Sequence, residues 1–171
     1  MVTGTLGASA AGWRLLESGA DDSATGPLLR AAHLRPNPRL AVGHVLHEAG
    51  VTAAMDLSDG LLGDLPKILA ASGVSARIEI DRLPVLPAVQ ALFPRRWQEF
   101  ALRGGEDYEL LMTLPPDRLA ILHDLTKHYG ATVTAIGTIT DGSPPSMELW
   151  SGNERATNDV DPGAWDHFAS T

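Results

Sequence analysis

The stretch from Val51 to Gly73 limits the possible folds more than any other part of this chain. Val51 to Leu57 is a short apolar run of the kind that forms a buried strand. It ends in the acidic turn Asp56-Leu57-Ser58-Asp59-Gly60. Beyond the turn, residues 59–72 return to helical spacing through Leu61, Leu65, Ile68 and Leu69, and Gly73 supplies the stop. Pro66 removes an N–H and crowds the preceding turn, so the helix is expected to start late or kink there. A strand passed directly to a helix belongs to folds that mix the two elements in one core.

The rest of the chain repeats that mixture. Met1 to Gly7 reads as a strand starting at the first residue, which suits the rear part of something longer. Ala8, Ala11, Gly12 and Leu15 place a helix over residues 8–18, stopped by Gly19. A polar loop over residues 21–26 leads to a short helix from Pro27 to His33. Asn37 is then a natural N-cap with Pro38 at the first helical position, and Val42, Val45, Leu46 and Ala49 share one face before Gly50. Strands are expected over 74–80, 108–114, 132–140 and 147–150. Pro94 splits 84–102 into two helical pieces, and Pro115-Pro116 opens a helix to Tyr129. The result is one domain of α+β or α/β type with a mixed sheet.

Composition narrows function by exclusion. The 171 residues carry 21 acids and 13 bases, a formal charge of -8, which argues against a general nucleic-acid binder. Cysteine is absent, so neither a disulfide framework nor a thiolate zinc site is available. No long apolar run or signal peptide appears, and a soluble cytoplasmic protein is expected.

The acidic turn carries the chemistry. In a strand, residues i and i+2 share a face, so Asp56 and Ser58 point the same way, and Asp59 then opens the helix. Carboxylates bind Mg²⁺, whose other positions are commonly filled by water and phosphate oxygens, and a helix N-terminus favours the same anions. Gly60 lets a ligand approach the backbone. Ser and Asp are equally the preferred N-caps, and a capped helix needs no metal. Asp56 lies outside any capping need and turns the balance toward a site.

Other candidates are weaker alone. Arg103-Gly104-Gly105-Glu106-Asp107-Tyr108-Glu109 is either a loop where backbone approaches a ligand or a solvated turn. Thr3-Gly4-Thr5-Leu6-Gly7 meets neither the P-loop nor the dinucleotide spacing, so close helix–strand packing explains its glycines better. His44 and His47 fit an ordinary polar helix face. Trp165 suits a satellite core or a stacking platform for an aromatic ligand.

Five stretches run in one order: residues 2–7, 34–40, 55–61, 104–110 and 165–168. Together they resemble the C-terminal half of the thiamine-monophosphate kinase family. That family's superfamily includes aminoimidazole ribonucleotide synthetase and selenophosphate synthetase. The Gly-Gly-Glu-Asp-Tyr-Glu run and the terminal Trp165-Asp166-His167-Phe168 favour the thiamine enzymes. The resemblance implies a three-layer α/β/α fold and transfer of the ATP γ-phosphoryl group to thiamine monophosphate, with Mg²⁺. It makes Asp56 and Asp59 metal ligands and Ser58 a nucleotide contact. Glu106 becomes a contact to the thiamine phosphate, and Trp165 an aromatic packed on it. No general base is implied. Arg103 and Pro66-Lys67 depart from the family pattern.

The resemblance also makes residues 1–171 a single C-terminal domain. A separate N-terminal half, absent here, would supply most of the metal-binding acids, much of the ATP site and the homodimer interface. Two other readings stay open. One is another ATP-dependent member of the superfamily. The other is a non-catalytic interaction module whose first strand offers an exposed edge to a partner.

Overall fold

A computed structural model describes residues 1–20 and 24–156. In chain order the elements are β1 (Val2–Thr3), α1 (Ala8–Ser18), α2 (Gly26–Leu34), α3 (Leu40–Val45), β2 (Ala53–Asp56) and α4 (Leu61–Ser72). There follow β3 (Ser75–Glu79), α5 (Pro87–Leu92), α6 (Trp97–Arg103), β4 (Leu110–Thr113) and α7 (Leu119–Lys127). The last are β5 (Val133–Thr134), β6 (Gly137–Thr140), β7 (Met147–Ser151) and β8 (Glu154–Arg155). The α+β class is as expected, but the strands divide between two four-stranded sheets. The first is antiparallel in the order β2-β4-β1-β5, and the second is mixed, β6-β3-β7-β8, with β3 and β7 parallel.

One core joins both sheets to α4. Leu57, Leu61, Leu65 and Leu69 pack with Val2 and Leu111 of the first sheet and with Ile78 and Leu149 of the second. This burial explains how Pro66 is carried inside α4. The helix does not start late at the proline: it runs from Leu61 to Ser72 with Pro66 inside it. A proline there costs about 3 kcal/mol. Burying Leu61, Leu62, Leu65, Ile68 and Leu69 offsets that, at roughly 1.5–3 kcal/mol each. Further cores lie between α1, α2 and Phe100, and beneath α3 and α7. No helix among the described residues is long and apolar enough to cross a membrane.

Four expectations are corrected. Asn37 does not cap a helix; α3 begins at Leu40 after Arg39, whose side chain is drawn to Glu109. The strand after Gly50 is not buried: β2 lies at the edge of the first sheet, with Ala54 and Asp56 exposed. The first strand, by contrast, has no free edge, since Val2 is paired on one side with Leu111 and on the other with Thr134. Finally, residues 132–140 form two strands, β5 in one sheet and β6 in the other. The crossing is tight, because a Cβ at Gly137 would lie 2.1 Å from the Arg77 carbonyl oxygen.

Candidate functional site

The β2–β4 pairing brings the acidic turn against the Gly-Gly loop. Asp56 is in register with Leu110, and Leu57 N–H donates to the Glu109 carbonyl at 2.8 Å. The pairing continues past both strands: Tyr108 N–H donates to Leu57 O and Glu106 N–H to Ser58 O, each at 2.9 Å. Two glycines permit this contact. A Cβ at Gly105 would come 2.5 Å from Ser58 O, and one at Gly60 would come 2.8 Å from both Arg103 C and O. Gly60 also has φ 83°, ψ 165°, a region essentially closed to other residues. We expect Gly60→Ala to lower stability by roughly 3 kcal/mol or more through that backbone and the clash. A chemical-denaturation midpoint unchanged from wild type would contradict this reading of the junction.

The turn is held from below by a group that sequence reasoning missed. Asp64 is fully buried, and its Oδ2 accepts the Ser58 and Asp59 amides, both at 2.9 Å. Lys67 Nζ donates to Asp64 Oδ1 at 2.7 Å and to Asp59 Oδ2 at 2.6 Å. Those bonds, to Asp59 first and then Asp64, push the Lys67 ammonium up to about 12. The available signal was position: Asp64 lies three residues after Leu61 and four before Ile68, on the apolar face of α4. The simple capping reading fails here, because the N-cap is Gly60 and neither Ser58 nor Asp59 caps the helix with its side chain.

Asp56, Asp59 and Glu106 are brought together around Tyr108. Asp56 and Glu106 are exposed, and Ser58 and Asp59 partly so. A hydrogen bond to Glu106, its charge, and the fields of Asp56 and Asp59 raise the Tyr108 phenol above its ordinary value. Glu106 and Tyr108 have φ of 67° and 50°, left-handed values unusual for non-glycine residues. Residues in such positions persist where their surroundings over-determine them, commonly at functional sites.

The other two acids of the loop face inward. Asp107 accepts the Gly7 amide at 2.7 Å and the Ser9 amide at 3.1 Å, at the start of α1. The residue is partly exposed overall, yet burial of its carboxyl pushes it up to about 7, against the pull of the Gly7, Ser9 and Ala8 amides. A carboxyl raised this way favours folding most when neutral. Its contribution is fully present below the unfolded value near 4 and is lost as pH rises through about 7. Relative to Asp107→Asn, the wild type should therefore lose up to roughly 4 kcal/mol between pH 4 and pH 8. Paired denaturant titrations across that range would show it; a constant gap would contradict it.

Glu109 is buried, with Arg39 bonding both of its oxygens at 2.7 Å and Thr3 Oγ1 donating at 2.6 Å. The bond to Glu109 raises the Arg39 guanidinium further, against its partial burial. Gly4 backs onto this carboxylate, where a Cβ would sit 1.9 Å from Oε1. A Cβ at Gly7 would come 2.8 Å from Phe100 C of α6, so close packing accounts for both glycines that follow the first strand.

For a divalent cation the donor type fits and the number falls short. Asp56, Ser58 and Asp59 offer hard oxygen donors suited to Mg²⁺. Among the described residues, however, no three His, Cys, Asp or Glu side chains group to hold a metal. These residues suit part of a coordination set. His44 and His47 are both exposed and belong to no such group. Trp165, with the rest of its motif, lies outside the described residues.

Known proteins share this fold. Residues 1–149 match the family described as AIR synthase related protein, C-terminal domain. The thiamine-monophosphate kinase of Escherichia coli strain K12 is 36% identical over 182 residues, covering 99% of this chain and 52% of that protein. The crystal structure of thiamine-monophosphate kinase from Stenotrophomonas maltophilia K279a aligns with TM-score 0.79 at 40% identity, covering 85% of this chain and 48% of that one. AaThiL complexed with AMPPCP and TMP aligns with TM-score 0.76 at 30% identity, over 98% of this chain and 50% of that one. The chain thus spans about half the length of the relatives it matches. It belongs to the AIR synthase related protein, C-terminal domain family, and the curated relative compared above is a thiamine-monophosphate kinase.

Proposed function

We propose that this chain is the C-terminal half of a thiamine-monophosphate kinase. In this reading it works with an N-terminal half, in the cytoplasm, within a homodimeric enzyme that transfers the ATP γ-phosphoryl group to thiamine monophosphate. The observation that carries the reading is the junction of two loops, Asp56–Gly60 and Gly104–Glu109, zipped by backbone bonds, with Asp56, Asp59 and Glu106 all acting on the Tyr108 phenol. A homologue at 30% identity that holds an ATP analogue and TMP supports it.

Asp56 and Asp59 would hold Mg²⁺ and Ser58 would contact the nucleotide. Glu106 would meet the thiamine phosphate, and Trp165 would pack on it. When bound, Mg²⁺ neutralises charge on the phosphates and orients them. The chain's own task is positioning. Asp64 fixes the turn amides, and the Glu106 N–H bonds the Ser58 carbonyl, which ties the Gly-Gly loop to the turn. Phosphoryl transfer needs little covalent help, so no side chain is assigned as general base; an oxygen of the substrate phosphate attacks directly in line.

Mixing this chain with the N-terminal half of a homologous kinase tests the reading. Thiamine diphosphate should form in the presence of ATP, Mg²⁺ and thiamine monophosphate, while the chain alone gives little turnover. An inactive pair beside an active full-length enzyme would count against the assignment. A normal rate from the chain alone would overturn the half-site picture.

A further inference from the structure

Lys67 stands where nothing in the proposed reaction requires it. Its ammonium bridges two carboxylates of opposite character: Asp64, fully buried and engaged by two amides, and Asp59, partly exposed and facing the turn. The Asp64 bond tethers the ammonium to the helix, and the Asp59 bond places a positive charge on the one carboxylate that sits between Ser58 and Gly60. The Lys67 side chain is itself half exposed, so the Asp59 bond can be exchanged without opening the core. Asp56, in contrast, meets no cation among the described residues.

We propose that Lys67 is a built-in counter-ion for Asp59. It holds that carboxylate in place when no metal is bound, and yields it to a divalent cation at a cost in affinity. Lys67 is thus a positioning residue that sets the metal concentration at which the turn is occupied. The proposal rests on the metal reading of Asp59 given above. Asp64 keeps the released ammonium close by, so the exchange is local and reversible.

The test compares Mn²⁺ binding by calorimetry in this chain joined to the N-terminal half of a homologous kinase, as wild type, Lys67→Gln and Lys67→Arg, with Asp59→Asn as the reference for metal held elsewhere. Glutamine removes the charge but can still donate to Asp64, and arginine keeps the charge. Removing one like charge at contact distance should tighten Mn²⁺ binding by about fivefold in Lys67→Gln. Lys67→Arg should stay near wild type, and adding Asp59→Asn to Lys67→Gln should cancel the gain. Binding by Lys67→Gln no tighter than by wild type would overturn the proposal.

A second readout needs no variant at Lys67. The ¹⁵N resonance of its Nζ should shift as Mg²⁺ is titrated into the wild type, and should not shift in Asp59→Asn. An unmoved resonance at saturating Mg²⁺ would also overturn the proposal, even if Lys67→Gln failed to fold. The two readings fail differently. If Asp59→Asn leaves wild-type Mn²⁺ binding intact, the metal assignment itself is wrong. If Asp59→Asn abolishes binding while Lys67→Gln changes nothing, only the counter-ion role is lost.

Discussion

Replacing Asp56 and Asp59 together by alanine is expected to cut thiamine diphosphate formation by the reconstituted enzyme about a thousandfold or more, equivalent to roughly 4 kcal/mol of transition-state stabilisation. The reasoning is electrostatic. Phosphoryl transfer gains most of its acceleration from placed positive charge, and these two carboxylates are the groups of the turn able to recruit it. Stability should change little. Asp56 is exposed, and the Lys67–Asp59 pair is a surface contact whose loss costs at most about 1 kcal/mol. Steady-state kinetics beside a thermal melt would check both halves of the claim. A rate within tenfold of wild type would remove the turn from the reaction.

Glu109→Ala should produce the reverse pattern, a fold defect that arrives before any kinetic one. Its carboxylate is buried, bonded by both arms of Arg39 and by Thr3 Oγ1, and the same hydroxyl accepts the Leu110 N–H at 2.8 Å. Removing the acid leaves a guanidinium and a hydroxyl without their acceptor beside the central strands, a loss of about 3–5 kcal/mol. Arg39 would no longer fix the start of α3, so the segment from Pro36 to Leu40 should lose amide-exchange protection first. Glu109→Gln keeps the shape and one acceptor, and should fall between alanine and wild type. A melting temperature for Glu109→Ala equal to that of wild type would contradict the anchoring role.

These outcomes mark what the sequence makes legible. Helix α1 follows its expected bounds from Ala8 to Ser18 because Gly19 ends it locally, with left-handed φ 63°. Pro94 likewise separates α5 from α6 as its fixed φ and missing donor require. The errors sit where a distant residue decides. Asn37 fails as a cap because Arg39 is recruited by Glu109, seventy positions away. The sheet assignment of residues 132–140 depends on β1 and β3, which no local pattern near Val133 can reveal.

The site divides in the same way. Asp56, Asp59 and Glu106 could be picked out as a turn and a loop, and all three act on the Tyr108 phenol. The inward roles of Asp107 and Glu109 could not be told from Glu106 beside them, because the left-handed backbone at Glu106 and Tyr108 breaks strand alternation. Asp64 was within reach of periodicity, as an acid set among leucines. Its partner Lys67 becomes meaningful only once both carboxylates are seen on one ammonium.

The most direct test of the account is a crystal structure of this chain joined to the N-terminal half, grown with AMPPCP and Mn²⁺ and read by anomalous scattering. An Mn²⁺ peak is expected at the turn that carries Asp56 and Asp59, with Lys67 turned back toward Asp64. Metal held only by the N-terminal half, with Lys67 still closed on Asp59, would contradict it.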